Sequence, residues 1–76
     1  MKNRRKILKY IMTKDSEYRF CIEELAEKTQ LKKSQIDYEL KNMKKEELVR
    51  IKPNSEDLRR VYYIRTDKLE EEFING

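Results

Sequence analysis

The stretch IEELAEKTQLKKSQIDYELKNMKKEELVRI, residues 22–51, decides the fold. Its apolar residues fall into two helical runs with a short break between them. Ile22, Leu25, Ala26 and Thr29 repeat at helical spacing, and Glu23 and Glu24 suit the positive end of a helix dipole, which predicts a helix over about 22–29. Beyond Gln30, Leu31 and Lys32, the residues Ile36, Leu40 and Met43 lie within about 60° of one another at 100° per residue. They predict a second, longer helix over about 33–46.

Downstream, Val49-Arg50-Ile51 alternates inward and outward, Pro53-Asn54-Ser55 signals a turn, and Val61-Tyr62-Tyr63-Ile64 is rich in strand formers. A hairpin over about 48–65 follows, with Val61 and Tyr63 inward and Tyr62 outward. Asp67 followed by Glu70 has capping-box spacing, and Leu69 and Phe73 pair at i, i+4, so a short helix closes the chain over about 67–74. Upstream, Ile7, Leu8, Ile11 and Met12 mark one face of a helix over about 3–14, whose other side carries Lys2, Lys6 and Lys9. Between this helix and residue 22, Tyr18 to Cys21 reads as a minor strand.

Length and composition limit what such a chain does. At 76 residues, with 37% hydrophobic and 45% charged side chains, it holds one small domain spanning 1–76 and one core. Nineteen Lys and Arg against fifteen Asp and Glu leave a net charge of +4, too balanced for a disordered polyelectrolyte. No apolar run approaches a membrane span and the basic start lacks a signal-peptide core, so an intracellular, cytoplasmic location is expected. A single cysteine, Cys21, and the absence of histidine remove the standard parts of zinc binding and nucleophilic catalysis. No enzyme activity, cofactor, metal site or small-molecule ligand is expected, and Cys21 reads as a small core residue. The scarcity of Gly and Pro beside abundant Lys and Glu resembles heat-adapted composition, although an AT-rich genome would also favour Lys, Ile, Asn and Tyr codons.

The order of elements, residues 22–51, and RRVYYIRTDK at 59–68 together resemble the winged helix-turn-helix family of DNA-binding transcriptional regulators, over about residues 20–68. Leu25 and Ala26, Leu31 in the turn, and Ile36 and Leu40 match the family's core pattern, with ten residues from the small Ala26 to Ile36. Among its members the chain looks most like the compact regulators of archaeal viruses and plasmids. The resemblance implies an α+β, mainly α fold: a three-helix core, a two- or three-stranded antiparallel wing and a short C-terminal helix. Two positions depart from the pattern, Gln30 and Glu47, where the family often has Gly. A left-handed backbone there costs roughly 1 kcal/mol or more, and the expectation is a slightly altered turn that avoids positive φ.

The resemblance further implies that the helix at 33–46 enters the major groove of double-stranded DNA. With Ile36, Leu40 and Met43 inward, its outer side presents Ser34, Tyr38, Lys41 and Lys45, flanked by Gln35, Asp37 and Asn42. Gln and Asn pair bidentately with adenine and Lys donates to guanine, so Gln35, Lys41 and Asn42, with Tyr38 against a methyl or sugar, are the base-reading candidates. Lys32, Lys33 and Ser34 at the helix start, Lys45, and Arg50, Lys52, Arg59 and Arg60 on the wing are the phosphate candidates. Glu56 and Asp57 at the wing tip oppose deep insertion. Residues 30–45 carry five lysines against Asp37 and Glu39, whereas residues 16–29 and 61–76 each sum to −2. Residues 1–15, with six Lys and Arg against Asp15, read as a basic arm adding non-specific affinity. Two copies per operator are expected, meeting through the first helix and Leu69, Phe73 and Ile74.

Two other readings compete. A winged-helix module for protein–protein contact would turn the basic face to an acidic partner in a larger nucleic-acid-processing assembly. The left-handed-DNA branch of the fold requires an Asn and a Tyr where this chain has Asp37 and Lys41, and a Pro-Pro-aromatic wing that it lacks.

Overall fold

The structure, a computed structural model, describes residues 2–52 and 60–75. Four helices and a hairpin follow in the order α1 (Lys2–Met12), α2 (Ile22–Thr29), α3 (Lys33–Lys45), β1 (Val49–Lys52), β2 (Tyr62–Arg65) and α4 (Asp67–Asn75). The three N-terminal helices pack around Ile7 and Ile11 of α1, Leu25 of α2, and Ile36, Leu40 and Met43 of α3, all essentially without solvent contact. Leu48, Val49, Tyr63 and Leu69 seal the open end, joining hairpin and α4 to the same core.

The hairpin is antiparallel, with Val49 opposite Arg65 and Lys52 opposite Tyr62. A third strand exists only as one bridge: Phe20 and Tyr63 exchange both backbone hydrogen bonds, at 3.0 and 2.7 Å, and their rings stack 6.2 Å apart. The aromatic residue at 20 thus docks where the core needs a lid, without a ladder of strand pairs. Inward alternation holds for Val49 and Tyr63 and fails for Ile51 and Val61, 43% and 49% exposed, because the hairpin outruns the core.

The two expected turn alterations do not occur. Gln30 and Glu47 both sit in the left-handed region at φ 64°. The hydrogen bonding explains why. At the end of α3, Leu48 N–H reaches back to the Met43 carbonyl at 2.8 Å and Glu47 N–H to Lys44 at 3.0 Å, the paired bonds of a Schellman motif. Met43 and Leu48, the apolar pair of that motif, are both buried. At the end of α2, Gln30 N–H bonds the Ala26 carbonyl at 3.0 Å and its side-chain amide donates to the Glu27 carbonyl at 2.9 Å. Closing each helix with its carbonyls satisfied outweighs the local strain at a residue with a Cβ.

Two other ends differ from expectation. α1 stops at Met12, two residues early, as Thr13 and Lys14 fold into tight i to i−3 bonds and Arg65 donates to the Ile11 carbonyl at 3.2 Å. Glu70 does not close a capping box on Asp67; its carboxylate pairs with Arg65 at 3.1 Å. Thr66, just ahead of α4, spends its hydroxyl on the Glu47 carbonyl at 2.6 Å, tying α4 to the hairpin root. The expected turn at Pro53-Asn54-Ser55, the tip acids Glu56 and Asp57, Arg59 and the Phe73 and Ile74 side chains lie outside the described residues.

Replacing Glu47 with Gly should therefore stabilise the fold by about 0.5–1 kcal/mol, the relief of left-handed strain less the added freedom of the unfolded chain. Gln30→Gly should gain less, since it also loses the bond to Glu27. Urea unfolding checks both, and a lower midpoint for Glu47→Gly would show that its side chain outweighs the strain.

Candidate nucleic-acid interface

α3 begins where the chain after Gln30 is extended. Lys32 at the N-cap position has φ −71° and ψ 148°, and lysine offers no acceptor to cap the helix. Gln35 takes over: its side-chain oxygen accepts the Lys32 N–H at 3.1 Å. The carbonyl end of Gln35 is thus committed to starting the helix, and only its amide NH2 is left to face outward. At the other end, the fully buried Ile36, Leu40 and Met43 lock the rotation of the helix about its axis.

That rotation exposes Ser34, Tyr38, Lys41 and Lys45 along one stripe, with Tyr38 62% exposed. Lys32, Lys33 and Gln35 are exposed at the N-terminal end, while Asn42 is half-buried on the flank. Lys41 bridges back to Asp37 at 3.0 Å, an exposed i, i+4 pair worth only a few tenths of a kcal/mol and readily exchanged for another acceptor.

The hairpin divides its cations between two faces. Arg50 and Lys52 are exposed, and since they oppose Ile64 and Tyr62 they share the hairpin's outer face. Arg60 is exposed at the root of β2, its guanidinium held more firmly charged first by the Tyr62 hydroxyl. The structure brings Arg60 and Lys33 near Glu23, whose carboxyl is held below the ordinary range. The first cause is a bond from its own backbone N–H at the start of α2; the Cys21 thiol, Arg60 and Lys33 add to it. Lys33 of α3 and Arg60 of the wing thus both bear electrostatically on the carboxylate at the N-terminus of α2.

Four contacts that position this surface escape a reading by pattern. Arg4 of α1 donates to Glu39 at 3.3 Å and to Glu46 at 2.7 Å, clamping the reading helix to α1. Glu39 borders the apolar arc of α3 and is 4% exposed, a signal present in the sequence, since a carboxylate at the edge of a core face requires a cation. Tyr63, on the inner face of β2, has its hydroxyl pushed up first by burial and then by the charge of Asp37, with Lys41 opposing. Arg65, 9% exposed, links the end of α1 to α4 from within the hairpin. Its Nε is buried with no hydrogen-bond partner among the described residues.

Residues 1–50 match the profile of the arsR family of bacterial regulatory proteins. The chain belongs to that family. Three solved structures show the same fold. The transcriptional regulator PA4135 superposes with a TM-score of 0.85 at 17% identity, covering 99% of this chain and 53% of its own. MepR of S. aureus, a mutant solved bound to an oligodeoxyribonucleotide, gives 0.78 at 17%, covering 91% and 49%. BldR from Sulfolobus solfataricus gives 0.78 at 21%, covering 93% and 50%. The chain spans about half the length of each. No curated protein sequence matches it. The arsR-family chain has the winged helix-turn-helix, the fold of DNA-binding transcriptional regulators, and both family and fold are those of a regulator and not of an enzyme. Among the described residues no helix is long and apolar enough to cross a membrane.

Removing the Arg4 clamp should loosen α3. Arg4→Met should cost about 1–3 kcal/mol by leaving Glu39 without its donor. Glu46 has its carboxyl lowered, chiefly by the hydrogen bond from Arg4. Its share is therefore complete above the ordinary carboxylate range and lost as pH falls through the depressed value. Denaturant unfolding of both forms at neutral and acid pH should show the gap narrowing as pH falls; a constant gap would remove Glu46 from the clamp.

Proposed function

We propose that this arsR-family chain binds double-stranded DNA with sequence preference, α3 lying in the major groove and the wing following the flanking backbone. The observation that carries the reading is the rotation of α3. Ile36, Leu40 and Met43 are sealed in the core while Ser34, Tyr38, Lys41 and Lys45 stand exposed on the opposite side of the second helix of a helix-turn-helix. A B-DNA major groove about 12 Å wide admits such a helix. Family membership supports the same reading, as does the fold shared with MepR bound to an oligodeoxyribonucleotide.

In this proposal Lys41 and Asn42 read base edges, Lys41 exchanging Asp37 for a guanine acceptor, and Gln35 offers its NH2 group alone. Tyr38 lies against a methyl or sugar. Lys32, Lys33 and Ser34, beside the free N–H groups of the helix start, take a phosphate, and Lys45, Arg50, Lys52, Arg59 and Arg60 extend the backbone contacts. A module of this size touches few base pairs, which supports two copies per site, with α1 and the end of the chain at Phe73 and Ile74 as their meeting surface; Leu69, expected there too, is 1% exposed and belongs to the core. An intracellular location belongs to the same reading. So does an archaeal viral or plasmid source, which the resemblance to compact regulators supports, and heat adaptation, which the abundance of Lys and Glu supports.

Gel-shift or anisotropy titrations against the chain's own upstream DNA and random DNA, scanned in salt, test this. Asn42→Ala or Lys41→Ala should narrow the cognate-to-random difference by about 1–3 kcal/mol. Lys33→Gln should weaken both equally and flatten the slope of log K on log salt by about one unit. Salt-independent binding, or equal loss on both DNAs for Asn42 and Lys41, would point instead to a protein partner for this face.

A further inference from the structure

The side chain of Gln35 stands on the exposed side of α3 with half of its hydrogen-bonding capacity already used. Its oxygen accepts the Lys32 N–H at 3.1 Å, and the lysine at that position has no acceptor of its own for the helix start. A free glutamine carries an acceptor beside its NH2 donors, and that combination matches adenine, which offers N7 as acceptor and its amino group as donor. Gln35 keeps only the donors. Turning its oxygen to an adenine amino group would take the partner from the Lys32 N–H just as DNA covers it, so the bond gained is offset by the bond lost. The neighbouring side chains supply little in its place. The first turn of α3 holds no acidic residue, and Lys32 and Lys33 only donate. Asp37 holds Lys41 at 3.0 Å, and Ser34 alone adds a hydroxyl that accepts as well as donates.

We infer that Gln35 is a specificity-determining residue that selects guanine, the reverse of the adenine pairing its residue type suggests. In the major groove guanine presents N7 and O6, an edge of acceptors alone, and the NH2 of Gln35 meets either of them. Thymine, with O4 and a methyl group, is the second choice. Adenine and cytosine both put forward an amino donor, which the remaining donors of Gln35 leave unpaired. The inference rests on the DNA reading proposed above and narrows one position of the site to one base. The selection comes from the local geometry of the helix start, because the oxygen that begins α3 is the oxygen that adenine recognition needs.

The test is selection of binding sites from a randomised duplex library by the chain, by Gln35→Glu and by Gln35→Ala, each shown folded by its amide spectrum. Glutamate keeps an oxygen for the Lys32 N–H, removes the donors and accepts from the cytosine amino group, so Gln35→Glu changes the base chemistry while preserving the helix start. One position of the selected site should hold guanine for the chain, cytosine for Gln35→Glu and no preference for Gln35→Ala. At that position the chain should favour guanine over adenine by about tenfold. The carboxylate of Gln35→Glu also weakens binding overall through the phosphates, so the preference is read as a ratio between bases. In the complex with the selected duplex, the Lys32 amide should exchange with solvent no faster than in the free chain. Adenine at the position that responds to Gln35, a Lys32 amide that loses its protection on binding, or the same selected site for all three proteins would overturn the inference and leave the DNA reading intact. A library from which no sequence is enriched would remove the DNA reading itself, and the inference with it.

Discussion

Burial of one face of α3 is the constraint on which the rest depends. Ile36, Leu40 and Met43 give up all solvent contact to α1, α2 and the hairpin root, and a side chain of that size is stabilised by roughly 1.5–3 kcal/mol on burial. Turning the helix by one residue position would expose part of that face and bury a lysine. Hydrophobic packing alone therefore fixes which side chains face outward, and the polar stripe has its direction before any partner arrives.

Around this core the polar contacts act as locators. Arg4 holds α3 against α1, Arg65 holds the hairpin and α4 against the end of α1, and Thr66 holds α4 to the turn at Glu47. Each joins elements distant in sequence, and each satisfies a carbonyl or carboxylate that burial would otherwise leave costly. In a chain too small for a second core, such pins set the angle between reading helix and wing.

Periodicity was a good guide to α2, α3 and the hairpin, because each carries its apolar residues at the spacing of its own structure. It was a poor guide where an end is set by something remote. α1 stops early where Arg65, far along the chain, reaches the Ile11 carbonyl, and Glu70 leaves the expected capping box for the same arginine. Gln30 and Glu47 show the limit in another form. Their side chains argue against a left-handed backbone, and the hydrogen bonds that require it become visible only once Met43 and Leu48 are seen packed together.

Local pattern by itself determined the order of elements, the inward residues of α3 and, through the resemblance it supports, the winged helix-turn-helix fold. Those depend on spacing along the chain, which a sequence displays. Only the tertiary structure decided that Asn42 is half-covered, that Ile51 and Val61 lie beyond the core, and that Arg4 and Arg65 reach the partners they do. Those depend on which distant atoms compete for the same partner or the same space, and that competition exists only when the chain is folded.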